Sequence, residues 1–202
     1  RAPYTGRPVP SAAEIVIAAY RRSFFKTHTV KVASARAGNV IGGGDWATDR
    51  IVPDCIRALQ QNAPIPVRNK AATRPWQHVL EPLSGYLWLA ALLTKKPMLA
   101  SAYNFGPAEE SNRTVVELVQ EVLKHWPGRW EDKSDPQAVH EAGLLQLATD
   151  KARMQLGWSP VWNFPTAIEQ TIHWYRNPSR ELTVAQIDRY ATAGRAARLP
   201  WA

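Results

Sequence analysis

Two stretches of this sequence hold residue types at spacings that could do chemistry. The first is Gly38-Asn-Val-Ile-Gly-Gly-Gly-Asp-Trp46. Glycines that follow a strand let backbone N–H groups come close to a phosphate. A dinucleotide fingerprint, however, needs Gly-x-Gly-x-x-Gly running straight into a helix, with an acid about 20 residues further on. Here Gly42-Gly-Gly44 runs into Asp45-Trp46 instead. On its own the loop reads equally as a flexible turn and as a ligand contact, and not as a dinucleotide site. The second stretch is Arg74-Pro-Trp-Gln-His-Val79, which follows Arg68 and Lys70. Arginine can grip two phosphate oxygens at once, and tryptophan can stack on a base or sugar face. With nine tryptophans in the chain, a surface loop anchored by one buried ring is the plainer reading of composition alone.

Other reactive types are scattered. His140-Glu141 could form an acid–base pair, and Asp45 or Glu81 could each act as a lone base, but no paired constellation supports them. Cys55 is the single cysteine and sits in an apolar helical pattern, so no disulfide framework exists and a reducing, cytoplasmic setting is expected. The five histidines never approach metal-site spacing, and no Gly-x-Ser-x-Gly elbow marks a hydrolase. The formal charge of +8 suits a polyanion such as a nucleotide diphosphate as well as a nucleic acid. The basic residues are dispersed rather than blocked, so no nucleic-acid partner is expected. No apolar run is long enough for a membrane span, and no membrane partner is expected.

The elements that would position these residues alternate between helix and strand, which predicts an α/β class. Ser11-Ala-Ala-Glu14 has the capping-box form before a helix over about 12–25, and Val30 to Ala35 alternates as a strand running into the loop at Gly38. Ile51, Cys55, Ile56 and Leu59 share one face of a helix starting near Val52–Pro53, and Ile65 to Arg68 is a short strand. Leu83 to Leu93 is so continuously apolar that a mostly buried helix is expected. Ala102 to Phe105 reads as a strand closed by Gly106-Pro107, Thr114 caps a helix to about His125, and Leu144 to Ala148 alternates as a further strand. Asp150 caps a helix stopping at Gly157, and Thr166 caps another to about Arg176. Beyond Asn177 the chain turns polar and alanine-rich, as a peripheral helix or loose tail would.

Taken together, Arg36 to Trp46, Asp49-Arg-Ile-Val-Pro-Asp54, Arg74 to Tyr86 and Tyr103-Asn-Phe-Gly-Pro107 resemble the CDP-glucose 4,6-dehydratases. This is a family of extended short-chain dehydrogenase/reductases. His140-Glu-Ala142, Asp150-Lys-Ala and Leu156-Gly-Trp-Ser-Pro160 match its C-terminal segment, and the likeness covers about residues 11–177. It implies a partial Rossmann-like parallel sheet plus a small α/β substrate-binding lobe. Residues 11–45 and 80–107 fall to the former, 46–79 and 108–177 to the latter, and 178–202 to a peripheral tail. In the family, bound NAD takes hydride from C4 of the hexose, water leaves across C5–C6, and the hydride returns to C6. The product is a CDP-4-keto-6-deoxyglucose, used in bacterial surface polysaccharide.

The resemblance carries substrate-binding roles to Asn39 and Arg74, and places Arg50, Arg68 and His140 near the nucleotide pocket. It implies a CDP-sugar ligand and a homodimer packed through the helix at 12–25. It assigns no catalytic or cofactor-binding residue. The family's NAD fingerprint and its Thr/Asp/Glu dehydration group would precede Arg1, and the Tyr-x-x-x-Lys pair aligns with Gly6 and Pro10. Tyr4 is not assigned that role, residues 1–10 look unlike the family, and the chain opens on Arg1 as an excerpt or truncation would. NAD is therefore expected in the intact enzyme and not tightly bound by this chain alone, which is expected to be inactive. The alternatives are another nucleotide-sugar epimerase or dehydratase and a non-catalytic sugar-nucleotide-binding remnant.

Overall fold

A computed structural model describes residues 12–134 and 147–202. The capping Ser11, Tyr4, His140-Glu141 and most of the strand expected at 144–148 lie outside the described residues. Within them, α1 (Ala12–Ser23) leads to β1 (Ser34–Ala37), which continues past Gly38 as β2 (Asn39–Ile41). There follow α2 (Ile51–Gln60), β3 (Ile65–Val67), β4 (Thr73–His78) and α3 (Leu80–Lys95). Next come β5 (Ala102–Phe105), β6 (Asn112–Thr114), α4 (Val115–His125) and β7 (Trp130–Asp132). The chain closes with α5 (Asp150–Leu156), α6 (Phe164–Arg176) and α7 (Arg180–Ala196).

The strand pairing is mainly parallel, as the α/β reading requires. β1 lies parallel to β5 with Ser34 opposite Ala102, β2 lies parallel to β4 with Asn39 opposite Trp76, and β3 lies parallel to β7. Among the described residues only β4 and β6 run antiparallel. The bend at Gly38 passes the chain from one parallel partner to the other. There the Gly38 N–H and the Gln77 amide both donate to the Phe105 carbonyl, at 3.3 and 3.0 Å.

Two apolar clusters hold these layers. One gathers Val52, Cys55, Ile56 and Leu59 from α2 with side chains of β3, α4 and α6. Each such aliphatic side chain withdrawn from water contributes on the order of 2 kcal/mol. The other packs Leu89 and Leu92 of α3 against Tyr103, Phe105, Leu156 and Trp158, with Phe105 and Trp158 edge to face at 5.0 Å. The Thr114–Glu117 capping box forms in full, each side chain accepting from the other's backbone N–H. Gly157 ends α5 at φ 66°, the left-handed cap that glycine tolerates best.

Several expectations need correction. The first strand lies later than 30–35, because the pairing with β5 and the Arg36–Asn104 hydrogen bond fix it at Ser34–Ala37. Asp150 is the first residue inside α5 rather than its cap, and α6 is capped by Asn163, whose side chain accepts from the Thr166 N–H. The segment from Arg74 is a strand and not a surface loop, with Trp76, Gln77 and His78 all buried. α3 is not mostly buried: Leu87 is 73% exposed and Leu83 43%. Nothing among the described residues covers that face. α1 likewise leaves Ile15, Val16, Tyr20 and Phe24 exposed. Of the two readings of the segment after Asn177, the helix is the one present, and it is no loose tail, because its Tyr190 is buried and bonded to Glu81.

Candidate functional site

A cavity of about 730 Å³ opens where the end of β3, the first half of β4 and the start of α2 meet the Gly38–Arg50 segment. Four of the five residues nominated from sequence line it: Asn39, Arg50, Arg68 and Arg74. His140 lies outside the described residues. The fold brings the four together by different routes. Asn39 opens β2 directly opposite Trp76, and Arg74 stands two residues earlier on β4. Arg68 follows the last residue of β3, and Arg50 occupies the N-cap of α2.

That cap has consequences for charge. Arg50 makes no side-chain capping bond, and Ile51, Val52 and Pro53 of the first turn line the cavity. The positive end of the α2 dipole therefore faces the space where an anion would sit. The α2 apolar face, buried through Cys55 and Ile56, fixes that direction.

Three aspartates also line the cavity: Asp45, weighed from sequence as a lone base, and Asp49 and Asp54, given no role there. Arg68 donates to Asp49 at 2.6 Å and to Asp54 at 3.2 Å, and Arg50 donates to Asp45 at 3.2 Å. Asp49 takes φ 63°, a left-handed conformation that Asp and Asn accept more readily than other non-glycine residues. The signal available beforehand was the Asp49-Arg50 pair four residues ahead of Asp54, straddling a helix start.

The rim loop is clamped from both sides. Arg57 of α2 donates to the carbonyls of Trp46 and Ala47, while the Tyr175 hydroxyl of α6 donates to the Asp45 carbonyl at 2.5 Å. Burial first, and then nearby Asp45, push the Tyr175 hydroxyl up to about 12, so it stays a donor at neutral pH. Trp174 lies against Gly43, where an added Cβ would fall 2.0 Å from the indole. The glycine cluster is thus shaped by an aromatic neighbour.

That observation bears on NAD. The Gly42–Gly44 run is followed by no helix before Ile51, and the Trp174 indole packs against Gly43. This loop therefore lacks the geometry of a dinucleotide fingerprint. The other candidates separate. Asp45 is a rim residue paired with Arg50, whereas Glu81 is fully buried away from the cavity and bonded to Val161, Trp162 and Tyr190. Cys55 is buried in the core, which raises its thiol pKa far above the ordinary range. Among the described residues no group of His, Cys, Asp and Glu is arranged to hold a metal, and no helix is long and apolar enough to cross a membrane.

No protein-family model matches the chain. CDP-glucose 4,6-dehydratase of Salmonella typhimurium is 42% identical over 174 residues, 81% of this chain and 48% of that protein. UDP-glucuronic acid decarboxylase 1 of Danio rerio is 28% identical over 88% of this chain and 40% of its own length. The chain spans about half the length of the curated relatives it matches. Among solved structures, dTDP-glucose 4,6-dehydratase of Bacillus anthracis in complex with NAD superposes with a TM-score of 0.65 at 19% identity, over 82% of this chain and 50% of that one. UDP-glucuronic acid 4-epimerase of Bacillus cereus, in complex with UDP-glucuronic acid and NAD, does so with a TM-score of 0.68 at 17% identity, over the same shares. These superpositions show the Rossmann-like fold. Over its matched residues, which set Asn39, Arg74 and Trp76 around one cavity, the chain is similar to about half of CDP-glucose 4,6-dehydratase.

Proposed function

We propose that this chain is the nucleotide-sugar-binding portion of an NAD-dependent dehydratase that converts CDP-glucose to CDP-4-keto-6-deoxyglucose. One observation carries the reading: Asn39, Arg50, Arg68 and Arg74, nominated from motifs up to 35 residues apart, converge on one cavity. Its 730 Å³ falls within the range of small-molecule and cofactor sites. In this reading the diphosphate lies among the arginines and before the α2 N-terminus, and Asn39 orients it by hydrogen bonding. The cluster of α2, β3, α4 and α6 supports a separate substrate lobe, whereas Leu156 and Trp158 pack with the Rossmann-like part instead of with that lobe. A homodimer through α1, which would cover Tyr20 and Phe24, and a cytoplasmic setting belong to the same proposal.

Calorimetry with CDP and CDP-glucose tests it, with UDP-glucose as the competing nucleotide sugar. Both cytidine ligands should bind, and Arg74→Ala should weaken them by about tenfold or more, since a hydrogen bond to a charged group contributes about 1.5–3 kcal/mol. Absence of binding to either cytidine ligand would overturn the reading.

A further inference from the structure

We infer that Asp49 is a resident counter-anion of the cavity: it holds Arg68 until a ligand phosphate displaces it, and so weakens the binding of phosphate. The inference rests on the proposed function and adds a residue that governs affinity. The charges around the cavity are balanced. Asp45, Asp49 and Asp54 stand against Arg50, Arg68 and Arg74, so the basic excess of the chain is not concentrated here. A phosphate that binds Arg50 or Arg68 must therefore take it from a carboxylate.

The two carboxylates on Arg68 differ in how firmly they are tied. Asp54 is largely buried, 17% exposed, and is held by Arg57, which itself is anchored on the Trp46 and Ala47 carbonyls. Asp49 is 74% exposed and is held by Arg68 at 2.6 Å. It sits in the rim segment immediately before the α2 N-cap. Of the two, Asp49 can let go without dismantling α2. Its left-handed backbone at φ 63° accepts asparagine equally well.

Asp49→Asn keeps size and backbone preference while removing the charge. Calorimetry on the whole chain with CDP and with pyrophosphate should show both ligands binding about threefold tighter, the scale of one exposed ion pair. The gain should vanish in an Arg68→Gln background, because the competing pair is then already gone. A melting temperature for Asp49→Asn equal to that of the parent excludes a folding effect. Unchanged or weaker binding by Asp49→Asn, or a gain that persists without Arg68, would overturn the inference. Pyrophosphate separates the two readings. If the parent binds pyrophosphate but not CDP, the nucleotide-sugar reading falls while the Asp49 comparison still decides. If neither protein binds either ligand, both readings fall.

Discussion

Replacing Glu81 with alanine is expected to destabilise the fold by about 4 kcal/mol, because it leaves two backbone N–H groups buried without an acceptor, each costing about 1–3 kcal/mol, and takes one of the two partners of the Tyr190 hydroxyl. Glu81 stands in the first turn of α3 and is fully buried. Its carboxylate accepts from the Val161 N–H at 3.0 Å, from the Trp162 N–H at 2.6 Å and from the Tyr190 hydroxyl at 2.7 Å. Ser84, one turn along α3, shares Tyr190 at 3.1 Å and accepts from the Trp158 indole at 3.0 Å. One side chain thus ties together α3, the segment between α5 and α6, and α7. Domains are stable by only about 5–15 kcal/mol, so this loss should be plain in urea unfolding. A cost under about 1 kcal/mol would show that the segment finds water or another acceptor.

The same group makes stability depend on pH. Burial pushes the Glu81 carboxyl up from 4.5 to about 7, although the three donors oppose the shift. The folded chain then holds a proton that the unfolded chain has released between those values. Stability therefore falls as pH rises through that window and is fully present below it. Measured as wild type minus Glu81→Gln, which cannot titrate, the stability difference should shrink by at most about 3 kcal/mol from pH 4.5 to pH 8. His78, whose ring meets Trp162 at 4.9 Å, is held down to about 4 by burial and stays neutral through most of that window. A difference that is flat with pH would mean that the donors outweigh burial.

What was legible in the sequence was what short-range chemistry decides. β5 alternates and is closed by Gly106-Pro107, and its burial alternates in step. The Thr114 cap needs only the Glu117 three residues on, and it forms as expected. β4 was hidden because its strand character is tertiary. Arg74-Pro-Trp-Gln-His has turn composition, yet Trp76 donates to the Arg113 carbonyl, Gln77 to the Phe105 carbonyl, and His78 packs on Trp162. Pro75, which has no N–H to give, falls where β4 changes partner: β6 pairs with Thr73 to Pro75, and β2 with Trp76 to His78. The start of α6 was misplaced because Asn163 and Thr166 are both capping types, and only the first accepts the bond. In the cavity the arginines could be named by type. Their aspartate partners could not, since Arg68 reaches Asp49 and Asp54 across 19 and 14 residues. Glu81 is the extreme case, an ordinary first-turn acid until segments 80 and 109 residues away close over it.

Gly43→Ala is the second substitution expected to act strongly, at about 3 kcal/mol, the upper end of the usual cost of overpacking. The added methyl would meet three atoms of the Trp174 indole at 2.0, 2.3 and 2.4 Å, well inside van der Waals contact. The ring cannot simply step aside. Its N–H donates to the Thr183 hydroxyl at 2.9 Å, and its edge packs on Tyr175, which holds the Asp45 carbonyl. Relief must therefore come from shifting the rim loop, which Arg57 and Tyr175 clamp, or α6, whose Phe164, Ile168 and Ile172 sit in the core. A double-mutant cycle separates this from a glycine kept for phosphate contact. Trp174→Leu removes the clashing ring at the cost of lost packing, so adding Gly43→Ala to it should destabilise by less than about 1 kcal/mol further, a coupling of roughly 2 kcal/mol. If the two substitutions simply add, Trp174 is not what requires glycine at position 43. The case for a phosphate contact there, which the spacing alone left open, would regain its force.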